Sequence, residues 1–416
     1  MKFFITSIGT RGDVEPFLAI GEILSKRGHD VAYAFSEQFE NIIPKKALFY
    51  SLTPEIMELI NSREGRIVMG KASVFKKIKA LLYLHQKGKI INKEIVIEHQ
   101  KYVSNFNPDV IIHNPKCSYP VIWNLKTNKD NIIVSPVPYV MYPVKNHPHV
   151  GINRNLGHIL NKLTYKLSNF GLVNTIYDAQ KTLEHQPKCS MKTICKALFH
   201  RKLIFSITPQ LFNRPDSWPK HVQILGYHER NTSMNWRPSP KIEKFLNNHA
   251  KILFLTFGSM FNSNPNEISN LFYDALIKLN IPCIINTASG GLLPLEKYRS
   301  EPKLLFVKQI PYEWIFKRVY AVVHHGGSGT THMGLKYGLP SLIIPHIIDQ
   351  YSWNKLVHKN KFGPKGISIK KLSKDNITPL IKDLYENETY KHAVNYASKT
   401  MNNTKLEDEL YAFIVS

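Results

Sequence analysis

Short apolar runs of strand length alternate along this chain with longer stretches in which apolar positions recur every three or four residues, the pattern of βα units around a parallel sheet. In the first half the pattern predicts strands over Phe3 to Ile8 and Val31 to Phe35, flanking a helix from about Val14 to Arg27. Gly28 stands where that helix should end and Pro16 where its first turn should lie. Further strands are expected at Val110 to His113, Ile132 to Ser135 and Leu203 to Ile207. The same pattern restarts at Lys251 to Phe257 and continues through Cys283 to Asn286, Leu304 to Val307, Ala321 to His324 and Ser341 to Ile344. Between the halves, His228 to Pro240 is polar and holds two prolines, as an exposed linker would. The predicted architecture is α/β, two doubly wound domains facing across a cleft, divided as 1–228, a linker 229–250, 251–402, and a closing helix 403–416.

A chain of 416 residues is long enough for two domains of about 200 residues that each bury a core. Its charge adds a constraint: 55 Lys and Arg against 31 Asp and Glu give a formal +24. Such a balance attracts nucleic acid, anionic lipid and anionic substrates alike. No arginine-rich tract, zinc-finger spacing or RNP-like aromatic motif accompanies it, so nucleic acid is not expected as a partner. The cysteines Cys117, Cys189, Cys195 and Cys283 form no Cys-x-x-Cys pair, which fits free thiols in a reducing, cytoplasmic setting. The apolar N-terminus is short and runs straight into Arg11 and Asp13, as a buried first strand does and a signal peptide does not. No run of about eighteen apolar residues predicts a membrane span.

The densest chemistry lies at Val322-Val323-His324-His325-Gly326-Gly327-Ser328-Gly329-Thr330-Thr331. An apolar strand enters a glycine turn that opens a helix carrying hydroxyls. Glycines let the backbone approach a phosphate, the helix N-terminus directs free N–H groups at it, and His325, Thr330 and Thr331 add donors. A tight turn that binds nothing has the same outline. Asp349 and Gln350 follow the next strand, at the spacing of the neighbouring loop on one sheet edge, and a carboxylate and an amide beside a phosphate cradle suit a phosphorylated sugar. At the first strand's end, Gly9 to Pro16 has no third glycine at dinucleotide spacing. Its Asp13 can serve as a general base or simply cap the helix.

These segments resemble a known family. The run from His324 to Gly363 is similar to the nucleotide-sugar signature of inverting GT-B UDP-glycosyltransferases, in the branch of sterol glucosyltransferases and bacterial macrolide and glycopeptide glycosyltransferases. Gly9 to Phe17 resembles that branch's first loop, Pro215 to Pro219 with Gly226-Tyr227 its segment before the linker, and Phe257-Gly258-Ser259-Met260 the opening of its second domain. The resemblance implies two Rossmann-like domains, the first for the acceptor and the second for the nucleotide sugar, with the last helix returning to the first. It implies that Asp13 is the base and that Gly258, Ser259, His325, Gly327, Ser328, Gly329 and Thr330 hold the donor diphosphate. Asp349 and Gln350 would take the sugar hydroxyls, Gln309, Ile310 and Trp314 the nucleobase, and Gly12, Pro138 and Tyr139 would form the acceptor loop. Trp314 reads equally as core. Many relatives place a His in the first loop; this chain has none there, and His113 with Asp109 is not assigned catalysis.

The activity expected is transfer of a hexose from a UDP-sugar, UDP-glucose first among them, to a hydroxyl of a lipophilic acceptor such as a sterol, carotenoid, polyketide or lipid. No Asp-x-Asp occurs, so a metal-independent enzyme without cofactors is expected. A nucleotide-sugar epimerase of this architecture and a non-catalytic nucleotide-sugar or lipid binder are the rival readings. From Lys71 to Lys93 the chain carries seven lysines and no acid, interleaved with Val74, Phe75, Ile78, Leu81 and Leu82. This is an amphipathic helix with a basic face, suited to peripheral contact with an anionic membrane, to an acceptor pocket, or to plain solvation.

Overall fold

Strands buried on both faces need unbroken apolar runs, and the chain supplies them to two parallel sheets. The computed structural model describes residues 1–416 apart from 70–72, 184–187, 231–235, 259, 261, 263, 289 and 403–404. Among the described residues, the first sheet comprises β1 (Lys2–Thr6), β2 (Asp30–Ser36), β3 (Leu48–Leu52), β4 (Val110–His113), β5 (Asp130–Ser135), β6 (Leu203–Phe205) and β7 (Val222–Ile224), in the order β3-β2-β1-β4-β5-β6-β7. The second comprises β8 (Leu253–Thr256), β9 (Cys283–Asn286), β10 (Leu304–Val307), β11 (Ala321–His324) and β12 (Ser341–Ile343), in the order β10-β9-β8-β11-β12. Both are parallel throughout, with Phe3 opposite Val31 and Val110, and Val323 opposite Leu255 and Leu342.

The chain divides into two compact units. Unit 1 takes Met1–Pro209, Asn213–Arg230 and Lys405–Ser416, and unit 2 takes Gln210–Phe212 and Asn231–Thr404. In each sheet the strand order reverses once, between β1 and β4 and between β8 and β11. There the loops leaving adjacent strands diverge to opposite faces and open a crevice at the carboxyl edge. Every loop considered below leaves a strand at that edge.

The two strands absent from the pattern-based reading, β3 and β7, are the edge strands of the first sheet. β3 is mostly half-exposed and β7 has three residues, so neither shows the continuous apolar run of a central strand. The first helix spans Arg11–Lys26 and so starts three residues earlier than expected. Pro16 therefore lies in its second turn, where it deletes the hydrogen bond to the Gly12 carbonyl. Helix Pro240–Asn248 buries Ile242 and Phe245 in unit 2. Among the described residues no helix is long and apolar enough to cross a membrane.

Helix Leu406–Val415 completes the core of unit 1. Leu410 and Ile414 are buried among Phe3, Ile20, Leu24 and Val31. Arg27 pairs with Asp408 and lies over the Tyr411 ring, whose hydroxyl is 3.0 Å from His29 Nε2. Leu410→Ala should remove about 2–5 kcal/mol from unit 1 through lost transfer energy and the remaining cavity. Denaturant unfolding followed at a unit 1 probe measures it, and a change under about 0.5 kcal/mol would mean that the helix does not dock.

Candidate active site

In unit 2 the loop after β11 turns through His325, Gly326 and Gly327 into helix Ser328–Lys336. Gly327 is the N-cap residue, and Thr331 N–H is the first to find its intrahelical acceptor, the Gly327 carbonyl, at 3.0 Å. The N–H groups of Gly329 and Thr330 come before that point and have no partner within the helix. The Thr331 hydroxyl also turns back to the Gly327 carbonyl, at 2.9 Å, so it is not the free donor its position suggested.

The His325 ring lies against Gly258 on one side and Gly327 on the other. A Cβ on Gly327 would stand 2.6 Å from His325 Nε2, and one on Gly258 would stand 3.1 Å from its Cε1. A side chain at 327 would therefore push the ring aside. His325 is buried, and its Nδ1 has no hydrogen-bond partner among the described residues. Burial, with His324 and His346 nearby, holds its pKa well below the ordinary value, so the ring is neutral at pH 7. His324 accepts the Gly326 N–H at Nδ1 (3.1 Å), which leaves its proton on Nε2, and burial pushes its pKa down to about 3. The sequence-predicted Gly258, His325, Gly327, Ser328, Gly329 and Thr330 are thus brought together at one switch point. Ser259 lies outside the described residues.

The loop after β12 behaves differently. Gln350 is buried, and its Oε1 accepts from the N–H groups of His346 (2.7 Å) and Ile347 (3.1 Å), while Nε2 lies 3.6 Å from Met260 Sδ. Its carbonyl shapes the loop, leaving only the amide N–H side for a sugar. Asp349 is the N-cap residue of helix Gln350–Lys359 and accepts the Trp353 indole N–H at 3.2 Å. In the loop after β10, Ile310 is core and Gln309 is exposed. The Trp314 ring is contacted by Trp236, at 4.8 Å between centroids, and by the Arg318 guanidinium at 4.0 Å.

Asp13 in unit 1 sits in the first helical turn after β1. Its Oδ2 accepts from the Thr10 N–H (2.9 Å) and hydroxyl (3.2 Å), the reciprocal half of a capping box. A Cβ on Gly9 would lie 2.3 Å from that oxygen, so glycine is required for the carboxylate to reach back. Oδ1 pairs with Lys116 Nζ at 2.8 Å. Lys116 escaped the sequence reading, although β4 lies beside β1 and the loops after them share one edge. Asn114 ties those loops together, donating from Nδ2 to Ser7 Oγ (2.8 Å) and to the Ile8 carbonyl (2.9 Å). Ser7 in turn donates to the Asp13 carbonyl at 2.7 Å.

Comparison with known proteins bears on both units. Residues 3–123 match the glycosyltransferase family 28 N-terminal domain, and residues 295–409 match the erythromycin biosynthesis protein CIII-like C-terminal domain. Over 99% of its length the chain is 25% identical to two sterol 3-beta-glucosyltransferases of Arabidopsis thaliana, of which it spans 68% and 65%. It is 24% identical to the sterol 3-beta-glucosyltransferase of Pichia angusta over 93% of this chain and 31% of that one. Among solved structures, the calicheamicin glycosyltransferase CalG4 matches with a TM-score of 0.68 at 14% identity, covering 99% of this chain and 98% of that one. The glycosyltransferase VinC in complex with dTDP matches with a TM-score of 0.66 at 13% identity, covering 100% and 98%. Both family models are of glycosyltransferases, and the chain has the GT-B fold.

The remaining predicted residues of this glycosyltransferase lie in unit 1. Gly12 is in the first turn of helix Arg11–Lys26, with Thr10 Oγ1 3.8 Å from where its Cβ would be. Pro138 and Tyr139 are buried, and the Tyr139 ring stacks on His147. Tyr139, Met141 and Asn146 all have positive φ, an uncommon concentration of strain for non-glycine residues. His113 is fully buried between the Asn114 carbonyl and Asn131, and Asp109 bonds the Lys2 N–H at the opposite end of β4, so the two form no dyad. Among the described residues no group of three or more His, Cys, Asp or Glu is placed to hold a metal.

Unit 2 buries His324, His325, His332 and His346, and burial lowers the pKa of each, to about 4 for the last two. Folded values below the unfolded 6.5 mean that the unfolded chain binds more protons, so this contribution is complete above pH 6.5 and is lost as pH falls toward 4. Each ring should cost about 1.4 kcal/mol per pH unit across that window. The denaturant midpoint of unit 2, followed by tryptophan fluorescence, should drop clearly from about pH 7.5 to about pH 5.5. An unchanged midpoint would mean that these rings are solvated.

Proposed function

We propose that this chain transfers a hexose from a UDP-sugar, UDP-glucose first among them, to a hydroxyl of a lipophilic acceptor with inversion at the anomeric carbon. The observation that carries the reading is the loop after β11, where the N-terminus of helix Ser328–Lys336 follows a buried imidazole that lies against Gly327 and has an unpartnered Nδ1. Charge develops on the departing diphosphate as the anomeric C–O bond breaks, and preorganised donors away from water stabilise it strongly. A neutral His325 serves here as a hydrogen-bond donor. No metal is required on this reading, because backbone N–H groups and the helix dipole meet the charge.

Asp13 is the base: it takes the proton of the acceptor hydroxyl as that oxygen attacks the face opposite the diphosphate. Its Oδ2 is occupied by Thr10, so the working oxygen is Oδ1, and the acceptor hydroxyl must share or displace Lys116 there. Sugar contacts fall to Asp349 and to Gln350 Nε2. The nucleobase lies along the backbone at Gln309 and Ile310, beside Trp314. Pro138 and Tyr139 shape the acceptor loop from behind, as they are buried. The names of the plant and fungal relatives support glucose and a sterol-like acceptor, and the dTDP bound by VinC supports a nucleoside diphosphate. We assign the protein to the cytoplasm, in peripheral contact with an anionic membrane through the basic segment 71–93.

Calorimetric titration with UDP, TDP and GDP in EDTA tests the donor reading directly: one diphosphate should bind in preference, and binding of none would overturn it. Asp13→Asn should cut transfer by about a hundredfold or more while UDP affinity stays within about twofold. Equal loss of both would remove the base assignment. His325→Ala should weaken UDP-sugar binding about tenfold and slow turnover with it; unaltered donor kinetics would displace the phosphate site.

A further inference from the structure

Helix His158–Ala179 buries Tyr165, Val173, Ile176 and Ala179 on one side, and on the other turns Ile159, Leu160, Leu163, Leu167 and Phe170 to solvent. Those five side chains are between 45% and 79% exposed. At 3.6 residues per turn they fall within roughly 100° of one another, a continuous stripe. Single exposed leucines are ordinary, but an ordered apolar stripe is not. Because apolar residues occupy two faces, the helix has little net polarity and its outer stripe does not stand out in the sequence.

A second apolar face belongs to helix Val74–Phe106, where Phe75, Ile78, Leu81 and Leu82 are 51% to 79% exposed. The two helices are neighbours in unit 1, joined by the Lys89–Asp178 ion pair at 3.6 Å. Along the two helix segments themselves the charges have one sign. Residues 154–177 hold Arg154, Lys162 and Lys166 and no Asp or Glu; residues 73–93 hold six lysines and no Asp or Glu. The first carboxylate after residue 177 on helix His158–Ala179, Asp178, is taken by Lys89 and Lys181.

We infer that the stripe from Ile159 to Phe170 is a bilayer-docking surface that seats its apolar side chains at the acyl boundary of an anionic membrane while the adjoining lysines meet lipid phosphates. The inference extends the membrane contact proposed for segment 71–93 to a second helix, and rests on that reading. Charge selects this occupant. A second copy of the chain would set lysine against lysine across a newly buried apolar contact, which costs affinity. An anionic lipid surface satisfies the apolar stripe and the lysines together.

The test is flotation of the purified full chain with phosphatidylcholine vesicles, with or without one third phosphatidylglycerol, at low and high salt. The wild type should float with the anionic vesicles only, and less at high salt. Leu167→Ser with Phe170→Ser should lower the partition coefficient at least about tenfold, since each removes a buried apolar side chain from the bound state. Lys162→Glu with Lys166→Glu should abolish the preference for anionic lipid. Tyr396→Ser, which alters an exposed aromatic of unit 2, should change nothing, and unchanged thermal melting of each variant shows that the fold is kept. Loss of flotation on altering Phe75 and Leu82 but not Leu167 and Phe170 would overturn the stripe and leave the 71–93 reading standing. No flotation of the wild type would overturn both. Equal binding to neutral vesicles, or a concentration-dependent dimer abolished by the Leu167 and Phe170 substitutions, would also overturn the inference.

Discussion

The position at which each parallel sheet reverses its strand order governs everything else in this molecule. Loops leaving β8 and β11 meet at one such point, and the loops leaving β1 and β4 meet at the other. At the first, the requirement is close approach. The His325 ring occupies the volume that side chains at positions 258 and 327 would fill, so two backbones are held against one imidazole. The same closeness keeps solvent out and the ring neutral. On the proposed reading, a helix N-terminus at that point meets an anion with N–H groups whose orientation is fixed before the anion arrives, so reorganisation costs little.

At the second reversal the constraint is electrostatic. One carboxylate closes the first turn of a helix with one oxygen and pairs with Lys116 with the other. Capping and proton abstraction are therefore compatible at Asp13. The cap fixes the side-chain rotamer and leaves Oδ1 as the only oxygen that can turn to an acceptor. Asn114 and Ser7 brace the two loops from below, so the position of the Asp13 carboxylate follows from the pairing of β1 with β4.

Much of this was legible in the sequence, for physical reasons that differ by element. The strands β4, β9 and β11 coincide with their apolar runs, because central strands covered on both faces leave no choice of residue. β3 and β7 lie at sheet edges, where that demand lapses. Gly327 was readable from its glycine turn and Gly258 only through the resemblance of its segment, although both prove to be close approaches to the His325 ring. Lys116 was not, since an exposed lysine after a strand gives no local signal and only the adjacency of β1 and β4 reveals its partner. Gln350 also shows the limit of reading a loop by residue type: its amide suits a sugar, yet its carbonyl is spent on the N–H groups of His346 and Ile347.

The excess of basic residues and the exposed apolar stripes have to be considered together. A protein that turns Ile159, Leu163, Leu167 and Phe170 to water gains by covering them, and identical copies are always the nearest cover at hand. A net charge of +24 opposes that association by mutual repulsion. The same charge becomes attractive at an anionic surface, where repulsion between copies is screened by lipid phosphate. On the proposed reading, the acceptor is itself concentrated in that lipid phase. The features that make the stripe hazardous in free solution are then the ones that bring unit 1, with Asp13, to where its substrate resides.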